Sequence, residues 1–194
     1  RFLEQGGIKK EIFKILEDIK PNDMDSGEMA SKKIRALIEN TPIDENLQDY
    51  MGEFYRQLSK KCHVSAVPVA VRSSATAEDL PGASFAGQQD SFLNIEAADT
   101  PVFVQRCWAS YWNERAMVYR HDARVPHMEG GMAVLVQRMV DSRASGIMFT
   151  VDPVTGEDRT VIEAVPGLGD RLASGEATPD RFVVSRDGSV VVAD

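Results

Sequence analysis

The chain has 194 residues, 43% apolar and 27% charged, the balance of a globular domain with a sizeable core rather than of a disordered chain. A formal net charge of -8 argues against an unspecific grip on nucleic acid, which needs basic surface to displace counterions. No segment has the apolar length needed to span a bilayer, no signal peptide is visible, and no membrane partner is expected. Cys62 and Cys107 lie far apart without metal-ligand spacing and read as free thiols, which fits a reducing cytoplasm.

Ile8, Ile12, Ile15, Leu16 and Ile19 recur at helical spacing, and Pro21 ends the pattern. Met29, Ile34, Leu37 and Ile38 predict a second amphipathic helix, with Asp25 or Ser26 as its cap. Leu47, Met51, Phe54 and Leu58 predict a third, entered through Thr41-Pro42-Ile43-Asp44. Nothing on these helices suggests chemistry. The character of the chain changes at Val64, so residues 1–63 read as the helical part of a first lobe and 64–194 as a strand-rich core.

Val67 to Val71 reads as a buried strand with a loop from Ser73 to Ala86 behind it, and Gln89 to Ile95 as the next strand. One long helix is expected from Asp99 to about His121, turning Phe103, Cys107, Tyr111 and Val118 to the core. Strands follow at Met132 to Val140, Gly146 to Val151 and Thr160 to Ala164, then a short helix around Asp170 to Ser174. Arg181 to Ser185 and Val190 to Ala193 pair across the Asp187-Gly188 turn. Helices gather first and mixed strands later, an α+β arrangement rather than βαβ alternation. The chain opens at Arg1 without a methionine and stops at Asp194 inside a strand-like run, so part of a longer protein is expected.

Arg72 ends an apolar run and needs an anion. Glu78 or Asp79 could supply it, but the hydroxyls of Ser73, Ser74 and Thr76 and the glycines Gly82 and Gly87 turn the balance toward phosphate, whose oxygens backbone amides also approach. This is neither a Walker A loop nor a dinucleotide fingerprint, and two glycines alone also suit a surface turn. The strand Val134 to Val140 ends in polar residues, which suits adenine recognition by backbone groups but also an ordinary core strand. Asp152, before Pro153 and Gly156, reads as a turn former rather than a metal ligand. His63, His121 and His127 lie in dissimilar places and read as solvated; no catalytic triad is legible.

Together, VRSSATAEDLPGASFAGQQDSFLNI, VQRMV with SGIMFTVDPVTG, and PGLGDRLASGEATPDRF resemble the nucleotide-binding domain of the pyruvate phosphate dikinase / phosphoenolpyruvate synthase family. The resemblance implies an ATP-grasp fold, ATP as ligand, and Mg²⁺ beside it. Arg72 matches the arginine on the ATP phosphates, and Gly87 and Ser91 match residues bordering the nucleotide. Gln137 falls on the adenine side, with main-chain contacts from Arg138 and Val140. Pro166 and Asp170 depart from the family's usual tryptophan and glutamate and put any polar role there in doubt.

The family's phosphate-gripping lysine, its Mg²⁺ ligands in a Glu...Gln-Ser-Arg-Pro region, and a swivelling domain with a phospho-acceptor histidine are expected outside residues 1–194. No catalytic residue and no metal ligand is therefore expected within the chain. The implied activity is transfer of a phosphoryl group from ATP through a mobile histidine to pyruvate, leaving AMP and phosphate. Alternatives are a rifamycin phosphotransferase and a non-catalytic nucleotide-sensing domain of the same fold.

Overall fold

Capping carboxylates start the two long helices of the N-terminal part. In the computed structural model, which describes residues 1–20, 23–76, 79–80, 83–84 and 90–193, the helices are α1 (Phe2–Gln5), α2 (Lys9–Glu17), α3 (Met24–Asn40) and α4 (Glu45–Lys61). Asp23, rather than Asp25 or Ser26, caps α3 by accepting from the Ser26 amide at 3.2 Å, and Asp44 caps α4 from the Leu47 amide at 3.3 Å. Strand β1 (Val69–Ala75) follows, then the two-residue pair β2 (Asp79–Leu80) and β3 (Ala83–Ser84), and β4 (Ser91–Ile95).

The single helix expected from Asp99 is two helices, α5 (Thr100–Ser110) and α6 (Glu114–Asp122). The break falls at Asn113, which leaves the helical conformation at φ -56° and ψ 141° and holds the N-cap position of α6 without a side-chain cap hydrogen bond, its amide group donating to Asp90 instead. The break also re-aims the stripe: Tyr111 and Cys107 are buried as expected, but Val118 is 51% exposed. The remaining elements are β5 (Met132–Arg138), β6 (Ala144–Phe149), β7 (Thr160–Pro166), α7 (Asp170–Ala173), β8 (Asp180–Val184) and β9 (Val190–Ala193). This mixed α+β chain forms two compact units, 1–139 and 140–194.

In the first unit β1 lies between β4 and β5, antiparallel to both. One face of this sheet is covered by α5: Val69, Val71, Ile95, Val104 and Cys107 share a buried cluster with Tyr55, whose hydroxyl donates to the Val67 carbonyl. A second cluster joins Ile12 of α2, Ile34 and Ile38 of α3, and Ala109, Trp112 and Met117. Each such isoleucine contributes roughly 1.5–3 kcal/mol by leaving water. Gln105, buried in α5, donates to the Ile38 carbonyl at 2.6 Å and so ties α5 to the end of α3.

Arg120 of α6 is fully buried, with its guanidinium 3.9 Å from the centre of the Tyr111 ring and 5.6 Å from that of Trp112. Its Nε donates to Nδ1 of His127 at 3.3 Å, and neither Nη finds a hydrogen-bond partner among the described residues. The ring faces partly offset the cost of burying this cation. His127 is thus half-buried and engaged rather than solvated. Burial, and next the Arg120 charge, push its imidazole down to about 4. Protonation therefore favours the unfolded chain, so stability is complete near neutrality and is lost as pH falls from about 6.5 to about 4. The loss expected is on the order of 2 kcal/mol once partial exposure is discounted. A histidine NMR titration should show His127 neutral at pH 6, and Arg120→Met should move its midpoint upward.

The second unit is a four-stranded antiparallel sheet in the order β6-β7-β8-β9. The Asp187-Gly188 turn joins β8 and β9 as the sequence predicts, with Gly188 at φ +85° and the Asp187 carboxylate accepting from the Ser189 amide at 2.9 Å. Gly146 of β6 is required by close approach, since a Cβ there would lie 2.7 Å from the Glu163 carbonyl oxygen. Asp152 accepts from the Val154 and Thr155 amides at 2.9 and 3.1 Å, which is the turn role expected of it. Cys62 and Cys107 are free thiols. Among the described residues no helix is long and apolar enough to cross a membrane.

Candidate functional site

One face of the first unit's sheet is covered by α5, and the alternation of β1 decides which residues turn toward it and which away. Val69 and Val71 turn to the core, while Ala70, Arg72 and Ser74 turn the other way. Arg72, read as the last residue before a loop, lies inside β1, because pairing with both neighbours continues through Ala75. Directly opposite residues share a face, and Arg72 stands opposite Ser91 of β4 and Leu135 of β5.

Gln137 stands opposite Ala70, one step further along that face and diagonal to Arg72, at a spacing of about 7–8 Å. Arg72, Ser91, Leu135 and Gln137 are all exposed, and among the described residues no carboxylate pairs with Arg72. The fold thus brings Arg72, Ser91 and Gln137 onto one face of the sheet, exposed at these three positions and buried at Ala70. Glu78 and Asp79, the local ion-pair partners considered for Arg72, and Gly87 are not among the residues whose side chains the structure describes.

Arg138 takes the opposite face, across from Val69, with Nη1 4.0 Å from the Cys62 sulfur. Only its main chain could serve a ligand on the open face. Among the described residues β5 is at the edge of its sheet, so alternate N–H and C=O groups of Met132–Arg138 point away from β1, where such groups can recognise a planar base. Val140 begins the second unit and is 61% exposed.

Residues that the sequence reading passed over support this surface. Asp90, next to Ser91, accepts from Asn113 Nδ2 at 3.1 Å and lies 4.0 Å from the Arg115 guanidinium. The Cys107 thiol faces the Val71 and Asp90 carbonyls at 3.6 and 3.8 Å, and burial above all pushes it up to about 12, so it is a packed thiol and not a nucleophile. Thr76, one step past β1, exchanges hydrogen bonds with Gly131: its amide donates to the Gly131 carbonyl at 2.9 Å and its Oγ1 accepts from the Gly131 amide at 2.9 Å. The helix-breaking asparagine was the signal that could have pointed to the Asp90 contact.

An aromatic cavity of about 410 Å³, lined among others by Phe2, Trp108, Tyr111, Trp112 and Met128, contains none of Arg72, Ser91 or Gln137. Aromatic walls without that arginine do not make a phosphate site. Among the described residues no group of three His, Cys, Asp or Glu could hold a metal ion.

A mixed α+β chain with antiparallel sheets, carrying an exposed arginine that among the described residues has no carboxylate partner, is the class of domain that can hold a polyanionic ligand with a base at one end. Residues 1–194 match the family described as pyruvate phosphate dikinase, AMP/ATP-binding domain, and the chain belongs to that family. It is 44% identical, over 98% of its length, to a probable phosphoenolpyruvate synthase of Staphylothermus marinus. It is 47% identical over 96% of its length to the phosphoenolpyruvate synthase of Aeropyrum pernix, and 44% identical over 94% to that of Aquifex aeolicus. The chain spans 22–23% of the length of these three relatives.

Proposed function

We propose that residues 1–194 are the ATP-binding part of a phosphoenolpyruvate synthase, an ATP-dependent phosphotransferase of the dikinase type. The observation that carries this is the pairing of exposed Arg72 with exposed Ser91 on one sheet face, one step from Gln137, in a chain of an AMP/ATP-binding family. Arg72 supplies a fixed fork of donors to the phosphate oxygens, and Gly87 and Ser91 border the nucleotide. Gln137 and the main chain of Arg138 and Val140 take the adenine side. The proposed fold is ATP-grasp, with 1–63 as the helical part of a first lobe and 64–194 as the nucleotide-holding core.

The reaction consumes ATP, pyruvate and water. A phosphoryl group passes from ATP to a histidine on a mobile domain and then to the pyruvate enolate oxygen, leaving AMP and inorganic phosphate. This chain's share is positioning and charge neutralisation, which is most of what phosphoryl transfer asks of a protein. Mg²⁺ would screen the phosphate charge. Its ligands are proposed to lie outside residues 1–194, in the Glu...Gln-Ser-Arg-Pro region that the resemblance implies. A cytoplasmic location follows from the same reading.

The test is calorimetric titration of the intact protein with Mg-ATP, followed by AMP release with and without pyruvate. Binding with pyruvate-dependent AMP release is expected. Release that depends on a rifamycin instead would overturn the acceptor, and binding without turnover would favour a sensing domain.

A further inference from the structure

We infer that Thr76 and Asp90 are positioning residues for the nucleotide site, Asp90 holding Ser91 of β4 opposite Arg72 and Thr76 holding the β1–β5 register that sets Gln137 beside it. The inference rests on the nucleotide-site reading above and adds residues that touch no nucleotide themselves.

Arg72 is long and exposed, and its head group can be aimed only as well as the strand beneath it is fixed. The β1–β4 ladder is short and irregular: Val69 faces Ile95, Val71 faces Phe92, and the register shifts between them. A ladder with a bulge is prone to alternative pairing unless something outside it pins the strand. Asp90 is the residue that does this. It immediately precedes Ser91, and its carboxylate is taken up by Asn113, buried at the N-cap of α6, and attracted by Arg115 two residues further on. Its carbonyl meets the Cys107 thiol of α5, which also meets the Val71 carbonyl. Two helices therefore fix β4 where it faces Arg72.

On the other side, Thr76 locks the end of β1 to Gly131, just before β5, through both its amide and its hydroxyl. Gly131 follows Gly130, whose φ of +114° and 3.0 Å gap between a built Cβ and the Tyr111 hydroxyl leave room only for glycine. Thr76 thereby sets the β1–β5 register that places Gln137 beside Arg72.

The test is a double-mutant cycle for Mg-ATP affinity in the intact protein. Asp90→Ala is expected to weaken binding roughly 10-fold in the wild-type background and less than about 2-fold when Arg72→Ala is already present, because the two act as a unit. Asp90→Asn keeps an acceptor for Asn113 and should recover part of the loss, which covers the case in which the alanine variant folds poorly. Thr76→Val, isosteric but unable to accept from Gly131, should behave as Asp90→Ala does. Equal losses in both backgrounds would mark a general stability effect and overturn the assignment. So would wild-type affinity in Asp90→Ala while Arg72→Ala binds poorly. Unchanged affinity in Arg72→Ala itself would overturn the nucleotide-site reading, and this assignment with it.

Discussion

Arg72→Ala should weaken Mg-ATP binding by the intact protein roughly 30- to 150-fold while leaving its folding unchanged. The magnitude is that of losing a charge-assisted fork, about 2–3 kcal/mol, on an open surface where water recovers part of the loss. Folding should be spared because Arg72 is exposed and none of the described carboxylates depends on it. Its backbone pairing to Ser91 and Leu135 survives truncation of the side chain.

Arg72→Lys separates charge from shape. Lysine keeps the positive charge but presents it as a point rather than a planar fork, so a loss well short of that of alanine is expected. Calorimetry at two salt concentrations would report the charge: the alanine variant should show a shallower salt dependence than wild type. Alanine binding as tightly as wild type would remove the phosphate role from Arg72 and leave the open sheet face without its central group.

The parts of this surface that were legible in the sequence are those governed by local rules. The α2, α3 and α4 helices follow from isoleucine and leucine spacing, and the β8–β9 hairpin from Asp187-Gly188. Arg72, Ser91 and Gln137 were chosen for chemistry and resemblance, and the register then places them on one face. What local rules could not supply was partnership across the chain. The apolar stripe continues past Tyr111 as though the helix did, and only the use of Asn113 as a cap and as a donor to Asp90 stops it there.

Arg120 shows the same limit. An arginine in an amphipathic pattern reads as solvated, and nothing nearby in sequence reveals that Tyr111, Trp112 and His127 enclose it. Asp152 was legible as a turn residue because its amide partners are two and three positions away. The arginines that complete its environment, Arg159 and Arg181, were not.

Those arginines make Asp152 the point at which the second unit should be most sensitive. Its side chain is fully buried, with one carboxylate oxygen on the two amides and the other on Arg159 Nε and Nη2 at 2.9 and 2.7 Å, and with Arg181 at 3.8 Å. The Val154 amide first, then Arg159, hold the carboxyl well below its ordinary value of 3.8. A depressed carboxylate contributes stability that is fully present above the ordinary value and is lost as pH falls through the folded one.

Asp152→Asn keeps the size and can still accept from the amides, but it turns an NH₂ toward the Arg159 donors. Arg159→Ala leaves the buried charge to Arg181 and the amides alone, and removing one partner of a buried pair costs more than the intact pair is worth. Both variants should raise amide exchange in β6, β7 and β8 at neutral pH, on the order of 100-fold for Arg159→Ala. On acidification below about pH 4, protection factors in these strands, taken against the intrinsic exchange rate at each pH, should fall in the wild type, whereas Asp152→Asn, with no carboxylate to protonate there, should lose that component of the pH dependence. Wild-type exchange rates in Arg159→Ala would mean that the two amides alone hold the Asp152 turn and that the ion pair is incidental to the sheet.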